Sequence, residues 1–119
     1  MVRIVNIEMG LELAKNVAKL SNHRTRVGCV ITDAHGHVLS LGINQYKTHP
    51  RQYHYASLVG EHKKIYLHAE ISGIIHAGSG ARKIYVARLG KGGECRAATP
   101  CPICQLAIAE AGITQIFST

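Results

Sequence analysis

The stretch YLHAEISG (Tyr66–Gly73) and the stretch PCPIC (Pro100–Cys104) decide how this chain is read. The first places a histidine two residues before a glutamate at the head of an apolar run. The second spends two of only four cysteines on positions three apart, the first of them directly behind a proline. Leu67 to Ala77 is predicted as a helix stopped by Gly78, and Pro102 to Ala111 as a helix stopped by Gly112. Both stretches therefore open helices. A helix start carries unpaired N–H groups and the positive end of the helix dipole, which favour thiolate over thiol.

Working outward, residues 6–20 read as a further helix. Leu13, Val17 and Leu20 share a face with Gly10 and Ala14 beside them, and Asn6 is placed to cap the start. Val27 to Thr32 is β-branched and nearly continuous, as in a buried strand. Asp33-Ala34-His35-Gly36 is a turn, and His37 to Asn44 returns with Leu39, Leu41 and Ile43 in alternation, which completes a hairpin. A polar, aromatic and basic segment runs from Gln45 to about Lys64. Lys83 to Leu89 is a third strand, Lys91-Gly92-Gly93 opens a loop, and Ile113 to Ser118 is a last strand. Strand–helix alternation after a hairpin predicts one domain over residues 1–119. Its fold class is α/β, a three-layer α/β/α sandwich with a mixed sheet of about four to five strands.

Composition narrows the partners. Of 119 residues, 46% are apolar and 18% charged, as in a folded chain rather than a disordered one. No uncharged run exceeds Ala97 to Ala109, which contains two prolines and is too short to span a bilayer, so no membrane association is expected. The N-terminal residues show no signal-peptide pattern. A cytoplasmic location with reduced thiols is the expectation. Fourteen Lys and Arg against seven Asp and Glu give a net charge of +7, which suits a phosphate-bearing partner, nucleotide or polymer, and equally a plainly soluble basic surface.

Cys101 and Cys104 are neighbours on one helical face and able to share a metal ion. Pro102 costs no hydrogen bond in the first turn. His68 supplies a third ligand, which leaves one position of a tetrahedral zinc open to water. Glu70 is better placed to work beside the metal than to bind it. Zinc would make hydroxide available near neutral pH, and Glu70 would move the protons of a hydrolytic deamination.

His68-Ala69-Glu70 followed by Pro100-Cys101-Pro102-Ile103-Cys104 resembles the zinc-dependent cytidine and deoxycytidylate deaminase superfamily, whose signature is H-x-E followed by P-C-x-x-C. The resemblance covers nearly the whole chain, because Val27–Ile31 and Gly42–Asn44 precede the motifs in the family's order. It implies that Asn44 contacts a sugar and that the backbone around Ala69 and Thr99 lines a base pocket. Val27–Ile31 also resembles the deaminase of riboflavin synthesis, but that branch spaces its cysteines more widely and is set aside. The family usually continues past the strand matching Ile113–Ser118, which implies either a pocket completed by another subunit or the absence of polymer-binding elements; a homo-oligomer is the expectation. Some deoxycytidylate deaminases hold a second metal, bound partly by cysteine, in the insertion matching residues 45–64. This segment has no cysteine, so His49, His54 and His62 are read as solvated.

The expected reaction is conversion of cytosine to uracil in a small nucleoside or nucleotide, with release of ammonia. Two alternatives stay open. One keeps the chemistry and takes single-stranded DNA or RNA. The other is a non-catalytic structural zinc module whose fourth ligand is Cys95 or His76. A Cys-x-x-Cys redox pair is a weaker rival, since it leaves His68 and Glu70 without a role. The 45–64 segment is expected to be a flap over the pocket mouth, with Lys47 and Arg51 meeting a phosphate. Its tyrosines and basic groups would equally suit a single strand.

Overall fold

The structure is a computed structural model and describes residues 4–119. Nine elements follow in order: α1 (Ile7–Ala18), β1 (Arg26–Thr32), β2 (Val38–Ile43), α2 (Pro50–Leu58), α3 (Ala69–Ala77), β3 (Lys83–Leu89), β4 (Cys95–Arg96), α4 (Pro102–Glu110) and β5 (Gln115–Ser118). One mixed sheet forms from them. β1 pairs antiparallel with both β2 and β3. The far side of β3 is shared, with β5 parallel along Lys83–Val86 and β4 antiparallel at Arg88–Leu89.

Side-chain alternation in the central strands separates two cores, as the period of two in a strand requires. Val30, Tyr85 and Ala87 face α1 and pack with Ala14 and Val17. Cys29, Ile31, Ile84 and Val86 face the other way and pack with Ile71, Ile103 and Ile108. α3 lies over β1 and β2 and touches α4, while α2 rests on α4. The expected three-layer sandwich is therefore present, with five strands. Ile71, Ile103 and Ile108 are essentially fully buried, each contributing roughly 1.5–3 kcal/mol relative to exposure.

Two glycines set how closely the site-bearing helix approaches the sheet. A Cβ on Gly42 of β2 would stand 2.6 Å from the Gly73 amide nitrogen, and one on Gly73 would stand 2.9 Å from Cys29 Sγ. Neither space admits a side chain. On this face β2 presents Leu39, Ser40, whose hydroxyl donates to the Gly73 carbonyl at 2.7 Å, and Gly42. The apolar positions Leu41 and Ile43 consequently point to the α1 side, where Leu41 remains 46% exposed at the sheet edge. A register shift between Ile31 and Thr32 takes Leu39 out of the expected alternation.

Other sequence expectations need correction. Asn6 does cap α1, its Oδ1 accepting from the Met9 amide at 2.8 Å. The helix ends at Ala18, however, and Leu20 is 72% exposed because the chain turns away to bring Ser21 to Asn44. The 45–64 segment is not a bare flap. His49 caps α2 by accepting from the Arg51 amide at 3.1 Å, Pro50 follows in the first turn, and Gln52, Tyr55 and Ala56 are buried. β4 lies where only a loop was expected. No helix among the described residues is long and apolar enough to cross a membrane.

Candidate metal centre

α3 begins at Ala69, so His68 is its N-cap in extended backbone (φ −77°, ψ 153°), and Cys101 holds the same position before α4 (φ −70°, ψ 167°). Packing of α3 against α4 brings the two helix starts together. His68 Nδ1 lies 3.3 Å from Cys104 Sγ and 3.5 Å from Cys101 Sγ. The donor atoms of all three residues lie within 4.8 Å of one another. A tetrahedral zinc with sulfur at about 2.3 Å and imidazole nitrogen at about 2.0–2.1 Å requires S···N edges of roughly 3.5 Å. The donor set fits that ion in both chemistry and spacing.

Electrostatics point the same way. The Cys101 thiol is held down to about 3, because Cys104 and then His68 donate to it while burial opposes the shift. Cys104 is pushed well above the ordinary thiol range, since its proton is engaged by Cys101, it is buried, and Glu70 stands beside it. Burial disfavours a charged His68, yet the adjoining Cys101 thiolate outweighs that and raises its pKa. Burial raises Glu70 as well.

Glu70 is 6% exposed and lies in the first turn of α3, beside but outside the three-donor group. It forms the floor of a cleft of about 570 Å³, where it is the sole carboxylate among the described lining residues. Asn44, Ala69 and Thr99 line the same cleft. Asn44 is already engaged: its Oδ1 accepts from the Ser21 hydroxyl at 2.8 Å and the Val27 amide at 2.9 Å, and its amide donates to the Thr25 carbonyl. It thereby ties down the 21–27 loop that forms one wall.

Lys47 and Arg51 are not among the lining residues. Arg51 instead borders a separate cleft of about 240 Å³ with Ile74, Ile75 and Ala111, because α2 carries it toward the far ends of α3 and α4. Lys63, Lys64 and Arg88 line the main cleft in their stead, together with His23. His23 stacks on Tyr46 at 4.2 Å between ring centroids, and Tyr46 meets Tyr66 edge-on at 5.7 Å. Lys63 and Lys64 were visible as charges, but the turn that brings them back to the site depends on α2. Nothing in the sequence marked His23 or Arg88. Cys95 and His76 are exposed and stand outside the donor group. Cys29 is a buried core thiol donating to the Ala69 carbonyl at 3.2 Å.

The family model described as the cytidine and deoxycytidylate deaminase zinc-binding region matches residues 5–119. The chain belongs to this family. Solved structures agree on the fold. A dCMP deaminase from the cyanophage S-TIM5 superposes with a TM-score of 0.62 at 22% identity, covering 93% of this chain and 79% of that one. A point mutant of the cytidine deaminase from Mycobacterium tuberculosis gives 0.61 at 20%, covering 94% and 84%. A guanine deaminase from Bacillus subtilis gives 0.59 at 19%, covering 97% of this chain and 64% of that one. No curated protein matches the sequence. The family's zinc-binding description and the geometry of His68, Cys101 and Cys104 name the same cofactor.

Proposed function

We propose that the protein is a zinc-dependent hydrolytic deaminase acting on cytosine in a nucleoside or nucleotide, releasing ammonia. One observation carries this: the His68–Cys101–Cys104 donor set adjoins the buried Glu70 carboxylate at the floor of a cleft large enough for a nucleotide. A structural zinc site would need no carboxylate there and no cleft.

Zinc held by the three donors would lower the pKa of a water molecule toward about 7. Glu70 takes the water proton and passes it to the ring nitrogen beside the amine-bearing carbon. The oxygen adds to that carbon. Glu70 then takes the remaining proton from the added hydroxyl and hands it to the amine, which leaves as ammonia while the carbon keeps the oxygen as a carbonyl. Asn44, Ala69 and Thr99 are the residues we assign to sugar and base.

Lys63, Lys64 and Arg88 favour a substrate that carries phosphate, as does the +7 net charge. One cyanophage dCMP deaminase structure similar to this chain contains dCMP and dUMP, and the same substrate class is assigned here by analogy of fold. A second reading, single-stranded nucleic acid, is favoured by Tyr46 and Tyr66, each 50% exposed near these cations. A thiol-based metal site suits the reducing cytoplasm, where we place the protein. The test is ammonia release from cytidine, deoxycytidine, their monophosphates, adenosine, guanine and a cytosine-containing oligonucleotide. Turnover of a monomeric cytosine substrate supports the proposal, and turnover of none overturns it.

A further inference from the structure

α2 contains one feature that its position over the core does not require. Gln52 is fully buried, a primary amide among apolar side chains. Its Oε1 accepts from the backbone N–H of His68 at 3.0 Å, and its Nε2 donates to the backbone carbonyl of Lys64 at 3.2 Å. His68 is an N-cap, so its own N–H lies outside the helical ladder and needs a partner elsewhere. The same strand of chain is held from its other side, where the Leu67 amide donates to the Lys47 carbonyl at 2.9 Å and the Leu67 carbonyl accepts from the Gln45 amide at 3.0 Å.

We propose that Gln52 is a positioning residue for the metal centre, fixing the backbone of His68 so that its imidazole meets Cys101 and Cys104. The inference rests on the zinc reading of that site. Its strength is chemical. The two backbone groups need one acceptor and one donor, at the ends of a single side chain reaching from α2. A primary amide supplies both, an ionised glutamate supplies only acceptors, and leucine supplies neither. The anchorage is also apt, because α2 packs on α4, the helix whose start carries both cysteines. Gln52 thus ties the histidine ligand to the element that bears the other two. Through the Lys64 carbonyl it also fixes the segment that delivers Lys63 and Lys64 to the cleft.

Outer partners of metal ligands typically change metal affinity by about 10–100-fold when removed. The experiment follows zinc transfer from the zinc-loaded full chain to a chromogenic chelator, with cobalt(II) substitution as a spectroscopic check on ligand geometry. Gln52→Leu is expected to lose zinc on the order of 10–100-fold faster and to shift the cobalt–thiolate absorption. Gln52→Glu should behave alike at alkaline pH and carries the comparison if the leucine variant does not fold. Ala56→Gly loosens the same buried helix without touching the clamp, so it should lower Tm yet leave zinc transfer near the wild-type rate. Wild-type transfer rates and cobalt spectra in the Gln52 variants would overturn the proposal, as would equal acceleration by Ala56→Gly. A wild-type protein that binds no zinc would overturn the underlying reading instead, and this inference with it.

Discussion

Nδ1 of His68 and Sγ of Cys104 stand 3.3 Å apart although 36 positions separate the residues in the chain. Neither helix start could hold a metal alone, since each contributes too few donors. The site exists only because the small residues Gly42 and Gly73 let α3 settle onto β2, with α4 beside it. Substitution of any one of His68, Cys101 or Cys104 by alanine should therefore abolish stoichiometric zinc, measured by atomic absorption on purified protein, and lower Tm with it, since metal binding is coupled to folding. Cys95→Ser should leave zinc content unchanged, because Cys95 is exposed and outside the donor group. Loss of zinc in Cys95→Ser would favour a closed, four-ligand structural site.

Glu70→Ala should retain zinc and fold while turnover falls on the order of a hundredfold or more, the range for a lost general acid/base. Glu70 lies outside the group of metal donors, so the two properties separate. Undiminished turnover in that variant would end the proposed proton route.

How legible the site was differs by residue. The metal donors and Glu70 could be read because chemistry restricts both residue type and spacing, and because Pro102 marks a helix start while Gly78 and Gly112 mark the helix ends. α2 could not, since its buried positions are Gln52, Tyr55 and Ala56, with no apolar stripe to show periodicity. Missing α2 misplaced the cations too. Once Pro50–Leu58 is helical, Arg51 is carried to the far end of α3 and the chain returns through Lys63 and Lys64 at the cleft. Asn44 was legible as a strand-end asparagine, but its part in tying Ser21, Thr25 and Val27 depends on long-range packing.

Zinc uptake by the metal-free protein should strengthen as pH rises. His68 and Cys104 both hold their protons more tightly than free imidazole and thiol, and each proton must leave before the group binds metal. The sign follows: both pKa values are raised, so protons compete best at low pH and the competition fades as pH climbs through them. Isothermal titration in buffers of different ionisation enthalpy should show protons released on binding. A pH-independent affinity would contradict this arrangement of thiol and imidazole.

Assembly is the fourth expectation. β5 is hydrogen-bonded to β3 alone among the named strands, and its Ile116 is 44% exposed. Such an edge can accept another copy. Multi-angle light scattering at working concentration should report a multiple of the chain mass, and Ile116→Lys should reduce it. A monomer with full activity would refute the expectation.

The substrate's phosphate is the last. Lys63, Lys64 and Arg88 line the cleft that has Glu70 at its floor, whereas Lys47 and Arg51 do not. Lys63→Ala with Lys64→Ala should raise KM for a cytosine nucleoside monophosphate roughly tenfold, the scale of one lost charge-assisted hydrogen bond at about 1.5–3 kcal/mol tempered by exposure. KM for the unphosphorylated nucleoside should stay close to wild type. Lys47→Ala with Arg51→Ala should change neither, and an effect from this pair alone would return the phosphate to the start of α2. Salt separates a monomer from a strand. One phosphate gives a shallow dependence of log KM on log salt, whereas several phosphates along Lys63, Lys64 and Arg88 steepen it in proportion to their number. If the slope with an oligonucleotide is steep, if Tyr46→Ala or Tyr66→Ala weakens its binding, and if no monomer turns over, those exposed rings are stacking platforms and the substrate is a single strand.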